Sequence, residues 1–237
     1  MTPAEGYAAA RALRERRLRE GWRPLGRKIG FTNRGIWARY GVHEPIWGTV
    51  YDRTLIQAHA DSATVPLAGL EQPRIEPEIC FRLRAAPRSA DPAELLAGIE
   101  WMAHSIEIVQ CDQPGWKTSL AHSAALNGLH GRLIVGTPVP VQELPDLQSR
   151  LETFELKLLR GAEEVERGTG EIVLGSPLRA LGYLVELLGK QPEAPRLAAG
   201  EIISTGTLTD AHPVAPGEAW STEIRGLPLR GMAIRFA

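Results

Sequence analysis

Arg74-Ile75-Glu76-Pro77-Glu78-Ile79-Cys80-Phe81-Arg82-Leu83 is the stretch on which the fold turns. Ile75, Pro77, Ile79, Phe81 and Leu83 alternate with Glu76, Glu78, Cys80 and Arg82, the period of a strand with one packed face and one polar face. Residues two apart on a strand point to the same side, so Glu76 and Glu78 share one small space. Two carboxylates that close raise each other's pKa unless a cation neutralises them, and hard oxygen donors select Mg, Mn or Ca over zinc. Pro77 has no N–H to give a neighbouring strand, which predicts a place away from the centre of the sheet.

Downstream, Asp91-Pro92-x-Glu94 opens a helix predicted to run toward Trp101 or Met102. Residues 105–109 then read as a short strand carrying Glu107 between Ile106 and Ile108, which makes Glu107 the natural third ligand beside Glu76 and Glu78. The Ala-, Ser- and Leu-rich residues 119–129 predict a close-packed helix or turn, residues 132–135 a strand, and residues 152–160 an alternating strand that bends at Gly161-Ala162. Leucines at helical spacing fill residues 177–188 and stop at Gly189, and strands follow at 202–205 and 233–236.

Upstream, Thr2-Pro3-Ala4-Glu5 combines an N-cap, an N1 proline and a capping-box glutamate, and so starts an amphipathic lid or docking helix that stops at Gly21 before Pro24. The charged run from Arg14 to Glu20 interleaves both signs, which suits i to i+4 pairing on a wet face better than a basic patch. The order of elements predicts an α+β fold: one catalytic domain over residues 1–237, with a helical lid region (1–60) packed on a β-rich core (61–237).

With 237 residues, 43% of them hydrophobic, the chain can bury a full core without disulfides. Its 27 basic and 28 acidic residues leave a net charge of -1, too little field to attract nucleic acid or an anionic membrane. The expected partners are small molecules or copies of itself, as a homo-oligomer. Cys80 and Cys111 lack CxxC spacing, so a reducing cytoplasm is expected rather than a disulfide scaffold or zinc ribbon. Neither a signal peptide nor an apolar run of bilayer-spanning length is read, so no membrane association is expected. Gly168-Thr169-Gly170 lacks the remaining parts of a dinucleotide fingerprint, and no NAD or ATP site is expected.

Four runs occur in order: residues 26–33 (GRKIGFTN), 73–79 (PRIEPEI), 106–109 (IEIV) and 200–209 (GEIISTGTLT). Together they resemble the 2-hydroxypenta-2,4-dienoate (2-keto-4-pentenoate) hydratase and 4-oxalocrotonate decarboxylase branch of the fumarylacetoacetate hydrolase superfamily. The resemblance covers nearly the whole chain from Tyr7 onward. It implies a strand-rich mixed β-roll with an N-terminal helix and peripheral helices, and Mg2+ or Mn2+ held by Glu76, Glu78 and Glu107. It places Lys28 beside the substrate as a catalytic group, and Ser204, Thr205, Gly206 and Thr207 at the substrate.

The activity implied is that of a metal-dependent lyase on a small 2-oxo acid or 2-hydroxydienoate, most similar to a 2-keto-4-pentenoate hydratase. A 4-oxalocrotonate-type decarboxylase, an acylpyruvate- or fumarylacetoacetate-type C–C hydrolase and a catalytically silent 2-oxo-acid binder are the alternatives. A cation that chelates the substrate's carboxylate and 2-oxo oxygen stabilises an enolate, and Lys28 can shuttle a proton or face the developing oxyanion.

Two stretches depart from these relatives. Pro45-Ile46-Trp47-Gly48 stands where many carry Pro-Asp-Tyr-Gly or Pro-Asp-Phe-Gly, and Ala125-Leu126-Asn127-Gly128-Leu129-His130 where they often carry Ala-Asp-Asn-Ala-Ser-Ser. Ile46 and Leu126 thus replace acids, while His130 adds a titratable group and is the second catalytic candidate, as a general base or water-orienting residue. The other reading of His130 is a residue that closes a turn. His43, adjacent to Glu44, and His104, three before Glu107, are read as structural, because neither spacing aims the pair together on a strand.

Overall fold

The computed structural model describes residues 1–142 and 144–237, apart from the side chains of Arg39 and Tyr40. The N-terminal capping box forms as its sequence dictates: the Thr2 hydroxyl accepts from the Glu5 amide, and the Glu5 carboxylate accepts from the Thr2 amide. Helix α1 (Pro3–Arg19) leads into β1 (Pro24–Gly30), a short turn α2 (Trp37–Tyr40), β2 (Ile46–Tyr51), β3 (Leu55–Gln57) and β4 (Ser62–Val65). Next come β5 (Arg74–Leu83), α3 (Pro92–Ala97), β6 (Ile99–Val109), α4 (Leu120–Ala125), β7 (His130–Val135) and β8 (Val139–Pro140). The chain continues through α5 (Leu147–Thr153), β9 (Glu155–Arg160), β10 (Glu163–Thr169), α6 (Pro177–Gly189), β11 (Ile202–Ser204), β12 (His212–Pro213), β13 (Ala219–Arg225) and β14 (Ala233–Phe236).

Among the described residues these strands form two mixed sheets. The larger runs β2-β1-β11-β5-β6-β7-β3, with β12 also on β5 and β8 on β6, and the smaller runs β10-β9-β13-β14-β4. Side chains from both sheets and from α6 belong to one continuous core, including Phe81, Ile106, Leu181, Leu184, Leu156 and Ile234. The architecture is the α+β arrangement expected.

β5 ends where the alternation ends, but it is a central strand, with β6 on one side and β11 and β12 on the other. Pro77 is tolerated there because β11 pairs with residues 80–82 and β12 with 74–75, leaving the proline in the gap between them. Its carbonyl accepts from the Leu208 amide, so only the donor is missing on that edge.

Three other expectations are corrected. α3 stops at Ala97 with Gly98 as its cap, and residues 99–102 belong to β6, eleven residues long, because they pair with β5 along its whole length. Glu152 and Thr153 lie in α5 rather than in the following strand, which starts after Phe154. Of the residues 1–60 expected to form a helical lid region, those of β1 and β2 are strands of the larger sheet.

α1 docks rather than covers. Tyr7 stacks on Trp47 with ring centroids 5.7 Å apart, and Gly6 meets the Ala121 carbonyl so closely that a Cβ would sit 2.2 Å from its oxygen. The charged run pairs only in part along the helix: Arg16 meets Glu20, but Arg17 lies over Trp22 and Tyr51, 4.9 Å from each ring. Contrary to expectation, Gly170–Gly189 is long and apolar enough to cross a bilayer; most of it is buried within the fold, where α6 contributes to the core.

Candidate active site

Strand register builds the centre of the site. In the antiparallel β5–β6 pair Glu76 stands opposite Glu107, with Glu78 opposite Ser105, and one oxygen from each of the three glutamates lies within 4.8 Å of the others. Like charges directly opposite on paired strands repel. Glu78 and Glu107 are fully buried, and Glu76 is partly so.

Burial pushes the Glu76 carboxyl up to about 7, against the pull of Lys28 and with the added repulsion of Glu107. Burial likewise raises Glu78 well above the usual carboxylate range, reinforced by Glu107 and Glu76. At Glu107 burial acts in the same direction, but Lys28 and His130 outweigh it and hold the group below its ordinary value.

Glu78 is oriented by the turn after β11. Its Oε2 accepts from the Ser204 hydroxyl at 2.5 Å and from the Gly206 amide at 2.9 Å, while Oε1 is buried with no hydrogen-bond partner among the described residues. Gly206 is required there twice over: its φ is +103°, and a Cβ would sit 2.0 Å from Thr32 Oγ1. An unpartnered buried carboxylate oxygen beside two further carboxylates is costly, and a hard divalent cation satisfies all three. The donor set therefore fits Mg2+ or Mn2+.

Lys28 enters from β1, paired with Ser204 of β11. Its Nζ lies 3.1 Å from Glu107 Oε2 and donates to the Gly128 carbonyl at 3.0 Å. Burial opposes the ammonium charge, but Glu107, Glu76 and Glu78 together overcome it and raise its pKa, so Lys28 holds its proton. The carbonyl that receives it is fixed by Asn127, whose amide both accepts from the Thr49 amide, at 2.8 Å, and donates to the Thr49 carbonyl, at 2.9 Å.

His130 is not placed as a general base. It is buried behind Glu107, with Nδ1 donating to Glu107 Oε1 at 2.7 Å and Nε2 2.8 Å from Thr54 Oγ1, and it does not line the cavity. Its ring instead holds one Glu107 oxygen from the side away from the cavity. Of the Ser204–Thr207 turn, Gly206 and Thr207 line the cavity; Ser204 holds Glu78, and the Thr205 hydroxyl is spent on the Ile79 carbonyl.

His104 lies on the opposite face of β6 from Glu107, tying the Glu78 carbonyl to Thr222 of the smaller sheet; burial lowers its pKa to about 4 and keeps it neutral. His43 is exposed and outside the cavity. Ile46 is on the cavity wall, fully buried, and supplies no acid.

The cavity opens over Lys28 and Glu76, and its walls include Asn33, Ile36, Ile46, Arg74, Trp116 and Leu129. Arg74 and Trp116 were not singled out in the sequence. The signal for Arg74 was present, since its even number puts it on the Glu76 and Glu78 face; Trp116 arrives from the loop before α4 and carries no local mark.

The fumarylacetoacetate (FAA) hydrolase C-terminal family model matches residues 41–231. The chain belongs to the fumarylacetoacetate hydrolase family. It is 30% identical over 230 residues to a 2-keto-4-pentenoate hydratase of Paraburkholderia xenovorans (strain LB400), covering 96% of this chain and 82% of that one. It is 32% identical over 229 residues to a 4-oxalocrotonate decarboxylase of Pseudomonas sp, covering 96% and 85%. Among solved structures, the family member 4-oxalocrotonate decarboxylase from Pseudomonas putida G7, complexed with magnesium and adipate, superposes with a TM-score of 0.89 at 29% identity, covering 100% of this chain and 87% of that one.

Proposed function

We propose that this family member is a divalent-metal-dependent lyase acting on a small 2-oxo acid or 2-hydroxydienoate, most like a 2-keto-4-pentenoate hydratase. The observation that carries the reading is Glu76 facing Glu107 across β5 and β6, with Glu78 in the same space and the Lys28 ammonium at its edge. Glu76, Glu78 and Glu107 hold Mg2+ or Mn2+, which when bound acts as a Lewis acid toward the substrate's carboxylate and 2-oxo oxygen.

The chain's own residues do the rest. Ser204 and the Gly206 amide fix the rotamer of Glu78, and His130 fixes that of Glu107. Lys28 keeps a proton at Nζ on the cavity wall, where it faces the oxygen on which negative charge develops and can return the proton to carbon. Ile36, Ile46 and Leu129 make an apolar wall that limits water beside the reacting carbons. The two cysteines are free and buried, in keeping with a cytoplasmic enzyme.

A 4-oxalocrotonate-type decarboxylase is the second reading, favoured by the match to the P. putida G7 enzyme across the whole chain. A C–C hydrolase has less support, because the histidine that would activate water lies behind Glu107. A panel of 2-hydroxypenta-2,4-dienoate, 4-oxalocrotonate and an acylpyruvate, each with Mg2+ or Mn2+, tests the proposal. Loss of dienoate absorbance without release of CO2 supports the hydratase, CO2 release the decarboxylase, and oxalate binding with no turnover of any substrate a silent binder.

Two outcomes follow for the metal. A cation must displace protons from Glu76 and Glu78, whose pKa values are raised, so affinity is expected to fall as the pH drops below about 7 and binding is expected to release protons. Calorimetry in two buffers of different ionisation enthalpy at pH 6 and pH 8 measures both; pH-independent affinity would contradict it. His130→Asn is expected to weaken Mg2+ or Mn2+ binding by about 10- to 100-fold, as loss of an outer partner does. At matched metal occupancy its pH-rate profile should superimpose on that of wild type, and a lost limb would restore His130 as a base.

A further inference from the structure

We infer that Asp210 is a further catalytic residue, the base that takes a proton from the attacking water while Lys28 supplies the proton that goes to carbon. The inference rests on the hydratase reading proposed above and assigns the half of the proton transfer that Lys28 cannot begin.

Adding water across a carbon–carbon double bond moves two protons, one away from the water oxygen and one onto carbon, so the site needs an acceptor as well as a donor. Among the described residues, the titratable side chains on the cavity wall are those of Lys28, Arg74, Glu76 and Asp210. Lys28 holds its proton, so it starts as the donor. A guanidinium accepts no proton. Glu76 is one of the three glutamates that fit the cation, and His130 is shut off behind Glu107. Asp210 is the acceptor that remains.

The chain brings Asp210 alongside the glutamates. After the turn at Ser204–Thr207 it runs back along β5: the Leu208 amide donates to the Pro77 carbonyl at 2.9 Å, and His212 of β12 stands opposite Ile75. Asp210 lies midway between these two anchors, beside Glu76, and its charge adds to the repulsion that Glu76 feels. The oxygens that converge within 4.8 Å come from Glu76, Glu78 and Glu107, so Asp210 belongs to the wall and not to the cation's shell.

Its backbone is pinned from both sides. The Asp210 amide donates to both Glu166 oxygens at 3.1 Å, and its carbonyl accepts from the Thr209 hydroxyl at 2.9 Å. The register of β10 shifts between Glu164 and Glu166, a bulge of the kind that re-aims a side chain beside a site.

Ketonisation turns the 2-hydroxydienoate into a 2-oxo-3-enoate. The water oxygen then bonds to C4 as one of its protons passes to the Asp210 carboxylate. The C3=C4 electron pair shifts toward C2, and negative charge gathers on the 2-oxo oxygen that Lys28 faces. C3 next takes the Lys28 proton, and the proton on Asp210 returns to Lys28 through solvent. One water is added, and both side chains end as they began.

Formation of 4-hydroxy-2-oxopentanoate by Asp210→Asn at saturating Mn2+ tests this, with oxalate affinity measured on the same protein. Turnover is expected to fall by about 100- to 10,000-fold while oxalate affinity and melting temperature stay near those of wild type. Asp210→Glu should recover part of the rate. Added formate should restore part of the turnover of Asp210→Ala, where it replaces the missing carboxylate, a gain that the loss of a merely structural residue would not show. Asp210→Asn turning over as fast as wild type, a fall in oxalate affinity as deep as the fall in turnover, or an Asp210→Ala that binds oxalate normally yet ignores formate overturns the inference. A wild type that forms no 4-hydroxy-2-oxopentanoate sinks the hydratase reading itself, a result distinct from wild type and Asp210→Asn hydrating equally.

Discussion

Lys28→Ala is expected to lower turnover by about 100- to 10,000-fold while changing oxalate affinity far less. Among the described residues Lys28 carries the only ammonium on the wall beside the three glutamates, held there by Glu107 at 3.1 Å and by the Gly128 carbonyl. A ligand bound through the cation does not need the ammonium proton, but a carbon or oxygen changing its charge does. The substitution also strips Glu107 of a buried partner, which costs about 3–5 kcal/mol where nothing replaces it. Turnover and oxalate binding are therefore compared at saturating Mg2+, with Lys28→Met as a variant that keeps more of the volume. Equal losses in both quantities would show a binding or folding residue.

The second large effect is at Glu78. Glu78→Gln preserves size and can still accept from Ser204 and the Gly206 amide, so the turn after β11 should keep its shape. It removes one of three charges from the cation's shell, and Mg2+ or Mn2+ affinity is expected to fall by about 100-fold or more, beyond the loss typical of outer partners. Turnover should fall with it and recover in part at high metal concentration. Because burial holds the Glu78 carboxyl well above its ordinary pKa, the group costs the metal-free fold stability near neutral pH, and the variant should melt no earlier than wild type without metal. Unchanged metal affinity would remove Glu78 from the site.

Much of this centre was legible before the fold was seen. Strict alternation from Arg74 to Leu83 could only be a strand, and that alone put Glu76 and Glu78 on one side. Glu107 followed from its isoleucine neighbours, but its place opposite Glu76 depends on the β5–β6 register, which no local pattern states. β6 is longer than its pattern announces, because residues 99–102 follow a helix whose end is marked only by Gly98, a signal shared with loops. The end of α5 is hidden for a similar reason: Glu152 and Thr153 run without a break into the alternation of Phe154, Leu156 and Leu158, and Asp146 caps nothing through its side chain.

His130 shows the limit most clearly. Its type announced proton chemistry, yet a register shift at Val109 puts its ring behind Glu107, where it fixes a carboxylate instead of touching the cavity. Sequence supplies the titratable group, and only packing decides which side of the carboxylate it occupies.

If Glu76, Glu78 and Glu107 make this chain a metal-dependent lyase, its activity depends on the cation they hold, and the decisive experiment is turnover of 2-hydroxypenta-2,4-dienoate and 4-oxalocrotonate by protein stripped with a chelator, before and after Mg2+ or Mn2+ is returned. The expected result is no turnover in the stripped protein, recovery of at least one reaction with either cation, and no recovery in Glu78→Gln at the same metal concentration. Turnover that persists undiminished in the stripped protein, or that returns equally in Glu78→Gln, would contradict it.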